Sequence, residues 1–180
     1  FPEGDRRNPN RMITAEKARE IIDDCAAIGV KGLQFTGGGE PTMHPDHLEM
    51  FARAQRLGIA TALVTNGVNL DYAHSAVRAM SWVRVSVDSG TAETYARTRG
   101  VSPKHWSKVW DNITGLAECC SGTVSVGYVL TPENYRELSL AAELAQAAGV
   151  ENVRVGAVFS SEGAGYYGHG LSAIRAAILQ

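Results

Sequence analysis

The residues Leu33-Gln34-Phe35-Thr36 run straight into Gly37-Gly38-Gly39, a carboxylate at Glu40, and Pro41. Each glycine costs folding entropy, so a run of three is kept where backbone must come close to another group or adopt φ > 0. Pro41 fixes its own φ, lacks an N–H and biases Glu40 away from helix. The pattern describes a bare backbone shelf with one acid at its lip. Carbonyl oxygens and a carboxylate there could accept hydrogen bonds from a cation. A tight turn with a surface glutamate satisfies the same residues equally well.

Other polar residues fall at comparable places. Thr65 and Asn66 end an apolar run, Ser86 and Asp88 close another, and Thr131 and Asn134 follow a third. A single polar strand end carries little information. Four in succession would converge on one rim, because ligands of parallel α/β folds sit at the C-terminal ends of the strands.

The elements that must position these residues alternate regularly. Strands are predicted over about 33–36, 59–65, 82–88, 123–131 and 152–159. Helices are predicted after Thr14, from Pro45 to Leu57, over about 70–80, 91–97 and 103–118, from Pro132 to Ala148, and from Leu171. Alternating strands and helices make parallel βα units. Five strands are too few for a closed eight-stranded barrel. They suit an open barrel or a doubly wound sheet, and no Gly-x-Gly-x-x-Gly opens a helix as a dinucleotide fold would require.

The ordered set now resembles a known family. Gly38-Gly39-Glu40-Pro41 after one strand, Thr65-Asn66-Gly67 after the next, Val85-Ser86-Val87-Asp88 followed by Arg99-Gly100, and the run Tyr128 to Asn134 are similar to the radical S-adenosylmethionine (radical SAM) superfamily. The resemblance implies an α/β fold, a partial (βα)6 TIM-like barrel of parallel strands, over residues 1–180. The family's first strand would fall before Phe1. It also implies two cofactors, SAM and a [4Fe–4S] cluster, and reductive cleavage of SAM to a 5′-deoxyadenosyl radical that abstracts a substrate hydrogen. By the same resemblance, Gly38, Gly39 and Glu40 receive the methionyl ammonium of SAM. Ser86 and Arg99 hold its carboxylate, with Arg97 as competitor. Asn66 and Asp88 match positions near the ribose and substrate. An electron donor such as flavodoxin or ferredoxin is the implied partner, while the substrate and any catalytic residue stay unknown.

One part of the family pattern is missing. The cysteines are Cys25, Cys119 and Cys120, and nothing matches Cys-x-x-x-Cys-x-x-Cys. An iron–sulfur cluster needs thiolate ligands, so these are expected upstream of Phe1, and no metal ligand is assigned within the chain. A non-catalytic SAM-binding or degenerate barrel domain is the alternative. An unrelated lyase or aldolase barrel is weaker, because Lys31 precedes its strand rather than ending it.

The bulk properties fit an ordinary soluble globular protein. The chain has 180 residues, 44% hydrophobic and 20% charged, with net charge −2. That charge gives no broad pull toward nucleic acid. No apolar run reaches membrane-spanning length and no signal peptide is visible. The cysteine usage points to a reducing cytoplasm. No histidine pair has zinc spacing. Trp106 and Trp110 read as helix core, Asn134 as a helix cap, and Tyr166 and Tyr167 as part of a flexible crossing loop.

Overall fold

The computed structural model describes residues 12–158, 166–168 and 172. Thr14 opens the first helix, its hydroxyl accepting from the Lys17 N–H at 3.2 Å, which satisfies one of the orphan donors of a helix start. Helix α1 (Ala15–Ala27) buries Ala18 and Ile22. Strand β1 (Gly32–Phe35) follows, then a 3₁₀ turn at Pro41–Met43, α2 (His47–Arg56) and β2 (Ala60–Thr65). Next come α3 (Ser75–Arg78), β3 (Trp82–Ser86), α4 (Ala92–Arg99), α5 (Lys104–Cys119) and β4 (Thr123–Leu130). A 3₁₀ turn at Tyr135–Glu137, α6 (Leu138–Ala147) and β5 (Asn152–Ala157) complete the described chain.

The five strands form one parallel sheet in the order β1-β2-β3-β4-β5. Sequential parallel strands joined by right-handed crossovers put every helix on the same face. Among the described residues the sheet therefore has one face under the helices and one bare of them, as in an open barrel. Leu63, Val83, Val85, Val124 and Val126 pack under the helices with Phe51, Val109, Ile113 and Leu116, nearly all without solvent contact. Register across the strands places Gln34, Ala62, Trp82, Arg84, Ser86, Gly127 and Arg154 on the bare face, because strand side chains alternate.

Each strand lies within two residues of its predicted limits, with residue 159 outside the described residues, as is the predicted helix from Leu171. Two helices differ. The helix read over 70–80 is only α3, because His74 caps Ala76 N–H through Nδ1 at 3.2 Å and restarts the helix there. The helix read from Pro132 begins as α6 at Leu138. Here the Asn134 side chain is drawn against the sheet, accepting from Thr131 N–H at 2.7 Å and donating to Asp88 O and Val129 O at 2.9 and 2.8 Å. Asn134 thus does not cap the helix. Tyr167 is also placed differently from the sequence reading. It is buried, its hydroxyl accepting from Val158 N–H at 2.7 Å and donating to Leu130 O at 3.2 Å.

Candidate functional site

None of Gly37, Gly38 and Gly39 has a positive φ, so conformational freedom is not what the glycines supply. They supply space. A Cβ built on Gly38 or Gly39 meets nothing within 4 Å, and one on Gly37 meets only a backbone nitrogen at 3.8 Å. Nothing within the described chain fills the room left above them.

Glu40 stays extended before Pro41, at φ −98° and ψ 118°. Its carboxylate reaches back over the end of β2. Oε1 accepts from Thr42 N–H (3.1 Å), Thr42 Oγ1 (2.8 Å) and Thr65 Oγ1 (2.6 Å), and Oε2 accepts from Asn66 N–H at 2.6 Å. Oε1 is saturated, while Oε2 retains acceptor capacity. The acid at the lip is therefore also the clamp between two strand ends. Asn66 turns its own amide oxygen to Val68 N–H at 2.9 Å.

The opposite wall comes from β3 and α4. Asp88 is the one described non-glycine residue with positive φ, at 58°. Its Oδ1 accepts from Val129 N–H at 2.7 Å and its Oδ2 from Arg99 at 2.5 Å. Burial pushes the Asp88 carboxyl above its ordinary range, and the Arg99 guanidinium and the Val129 N–H only partly offset this. The same Arg99 nitrogen donates to Ser86 O at 3.0 Å, which leaves its other N–H groups for a ligand. Arg97 turns away, donating to Thr94 Oγ1 at 3.1 Å.

Glu137, which the sequence reading passed over, fixes the start of α4. Its Oε2 accepts from Gly90 N–H (2.8 Å) and Thr91 N–H (3.1 Å), its Oε1 from Thr91 Oγ1 (3.1 Å) and Thr94 Oγ1 (2.5 Å). A carboxylate at a helix N-terminus is favoured by the orphan N–H groups and the helix dipole. Glu137 thereby sets the position of the helix that carries Arg99.

Between the two walls lies a cavity of about 330 Å³, which is within the range of small-molecule sites. Gly37, Gly39, Glu40, Asn66, Ser86 and Arg99 are among its lining residues. Gly38 and Asp88 are not. Gly37 takes the place on the cavity wall expected of Gly38, and Asp88 stands behind Arg99. One end offers acceptors, from backbone and Glu40. The other offers donors, from Ser86 and Arg99.

The profile of the radical SAM superfamily matches residues 1–145. The chain belongs to the radical SAM superfamily. Members of this superfamily are enzymes, and curated relatives of the chain carry enzyme names. An S-adenosylmethionine-dependent nucleotide dehydratase of Flammeovirga pacifica is 34% identical over 88 residues, 48% of this chain and 30% of that protein. An Fe-coproporphyrin III synthase of Methanosarcina barkeri is 30% identical over 131 residues, 70% of this chain and 31% of that protein. Among solved structures, SuiB of Streptococcus suis bound to S-adenosylmethionine superposes with a TM-score of 0.73 at 16% identity, covering 96% of this chain and 41% of that one. That likeness shows the shared fold. The chain thus spans less than half of each of these proteins.

The residues present fit the aminoacyl end of SAM. Its ammonium needs acceptors, which the shelf and Glu40 Oε2 have to spare. Its carboxylate needs donors, which Ser86 Oγ and the unused Arg99 N–H groups provide. They do not fit an iron–sulfur cluster. Cys25 lies in α1, and Cys119 and Cys120 end α5. No group of three metal-ligating side chains occurs among the described residues. Cys120 turns its Sγ to Val77 O and Met80 O, and burial raises its thiol pKa, the opposite of what a thiolate ligand needs. Among the described residues no helix is long and apolar enough to cross a membrane.

Proposed function

We propose that this chain is the SAM-binding part of a radical SAM enzyme whose cluster cysteines lie outside it. The observation that carries the reading is the polarity of the cavity, with acceptors at Glu40 and the glycine shelf and donors at Ser86 and Arg99, matching an amino acid zwitterion end to end. Gly37 and Gly39 let the ligand approach backbone directly. Glu40 Oε2 accepts from the ammonium while Oε1 holds the strand ends together. Ser86 and Arg99 bind the carboxylate, and Asp88 orients Arg99. Asn66, on the cavity wall, faces the rest of the ligand.

With a cluster and a one-electron donor of the flavodoxin or ferredoxin kind, bound SAM would supply 5′-deoxyadenosyl radical chemistry on a substrate hydrogen. The contribution of this chain is to bind, orient and exclude water. The lack of cysteine ligands here favours one second reading, a domain that binds SAM without cleaving it.

The full-length protein, reconstituted anaerobically with iron and sulfide, tests both. SAM binding by calorimetry together with reductant-dependent release of 5′-deoxyadenosine supports the enzyme. Binding without release supports the non-catalytic reading. Absence of binding removes both.

A further inference from the structure

The bare face of the sheet carries two arginines that the SAM site does not use. Arg84 lies two residues before Ser86 on β3, and both side chains point to this face. Arg154 on β5 is the register partner of Gly127, and Gly127 that of Ser86. Ser86, Gly127 and Arg154 thus form one row across three strands, spanning roughly 10 Å at the ordinary strand spacing of ~4.8 Å. Arg84 sits one step below that row.

Arg84 is held in place without a counter-charge among the described residues. Its guanidinium stacks over the Trp82 ring, 5.5 Å from the centroid. Its aliphatic stem crosses Gly127, where a Cβ would stand 3.4 Å from Arg84 Cδ. A glycine at 127 therefore makes room for the arginine to lie across the sheet toward Arg154. The ion pairs of the described residues use Lys17, His44, Arg53, Arg56 and Arg99 and pass over both Arg84 and Arg154. Asp88, the nearby acid, is already committed to Arg99 and Val129 N–H. Burial and the charge of Arg154 lower the pKa of Arg84, with no carboxylate acting against them. Two half-facing cations, one partly buried, repel each other, and among the described residues neither has a carboxylate partner. An apolar pair would serve the fold better. Exposed Val129 extends the same face toward the strand ends.

We propose that Arg84 and Arg154 form the seat for an anionic group of the substrate, a carboxylate or a phosphate, held beside the SAM cavity on the bare face of the sheet. This rests on the reading of the cavity as a SAM site, since it makes the neighbouring molecule the substrate. Paired guanidiniums recognise both anions through their forked donors. Arg84 lies on the strand of Ser86 and Arg154 two strands away, so an anion held between them sits within two strands of Ser86.

The test uses the full-length reconstituted protein without reductant, and reads SAM binding first by calorimetry. Inorganic phosphate and citrate are then titrated at constant ionic strength, with SAM present and absent, using fluorescence of Trp82 as reporter. Saturable binding of either anion is expected. Arg154→Glu, which gives Arg84 an internal partner, and Arg84→Met should each weaken it at least tenfold while SAM affinity stays within twofold. Phosphate preference would indicate a phosphorylated substrate, and citrate preference a carboxylate. No saturable binding, or undiminished binding in both variants, overturns the proposal. So does a loss of SAM affinity equal to the loss of anion affinity, which would assign the arginines to SAM. Arg154 is exposed on an edge strand, so its variant remains informative even if Arg84→Met unfolds. Failure of SAM to bind wild-type protein strikes the cavity reading instead, and leaves the anion titration readable.

Discussion

Glu40 and Thr65, 25 positions apart, meet through a 2.6 Å hydrogen bond from the threonine hydroxyl to the glutamate Oε1. That bond joins the segment after β1 to the last residue of β2. Together with the Asn66 N–H on Oε2, it means that the acid at the ligand shelf is a structural clamp before any ligand arrives. The ligand contact proposed for Glu40 therefore cannot be tested by its removal without disturbing the clamp.

Glu40→Ala should therefore lower stability as well as SAM affinity. Four hydrogen bonds end on this carboxylate. Bonds to charged groups contribute about 1.5–3 kcal/mol each, and bonds to a shared acceptor are not additive. A loss of about 2–4 kcal/mol is expected, read as a lower urea midpoint with an unchanged slope. Thr65→Val, which leaves the ligand-facing Oε2 intact, should cost about 1 kcal/mol and little SAM affinity. Equal affinity losses in the two variants would show that the clamp, not the carboxylate, governs binding.

Glu137→Ala should act at a distance. The substitution unpairs Gly90 and Thr91 N–H at the start of α4, and capping losses of this kind cost about 0.5–2 kcal/mol. The backbone of α4 should exchange hydrogen faster, and SAM affinity should fall because Arg99 rides on that helix. Glu137→Gln keeps one acceptor and should recover part of both. Unchanged exchange in α4 would remove Glu137 from the positioning of Arg99.

Gly90→Ala tests the same junction from its other side. A Cβ at Gly90 would stand 2.7 Å from Glu137 O and 3.0 Å from Glu137 Cβ. Backbone cannot yield as a side-chain tip would, so overpacking of about 1–3 kcal/mol is expected. The melting temperature should fall by several degrees, with Arg99-dependent binding weakened more than the clamp at Glu40. A variant as stable as wild type would mean that the loop after β3 shifts freely.

The sequence carried the rhythm of the fold because each strand is short, apolar and followed by punctuation. The βα order alone suits an open barrel and a doubly wound sheet alike, and the sequential pairing β1-β2-β3-β4-β5 is that of the barrel. The sequence carried the polar strand ends for the same reason as the rhythm. What it could not carry were contacts between residues far apart. Glu137 meets Gly90 across 47 positions, and no local pattern separates it from an ordinary acid early in a helix. The Asn134 side chain reads locally as a cap, yet the carbonyls it reaches belong to Asp88 and Val129. Close approach and left-handed backbone are different uses of glycine, the sequence does not separate them, and at Gly37, Gly38 and Gly39 the structure has the first without the second. That Arg84 has no ion-pair partner among the described residues likewise depends on which charges the other strands place beside it.

Asp88 gives a prediction in pH. Its folded-state pKa is raised by burial, against the opposing pull of Arg99 and the Val129 N–H. The folded protein therefore holds this proton more tightly than the unfolded chain does. The resulting stabilisation is fully present below 3.8, the value of a free aspartate, and is lost as pH rises through the higher folded value. Asp88→Asn removes the titration, and asparagine tolerates the positive φ at this position better than most residues. The melting temperature of wild type minus that of Asp88→Asn should thus rise as pH falls from 7 toward 4, by a few degrees for each 1 kcal/mol at this chain length. At neutral pH the variant leaves Arg99 without its ionic partner, so the orientation of the guanidinium should loosen and SAM affinity drop even where stability does not. A difference that stays flat across this range, or falls toward acid, would show that the ion pair with Arg99 outweighs burial and holds the Asp88 carboxyl at or below its ordinary range.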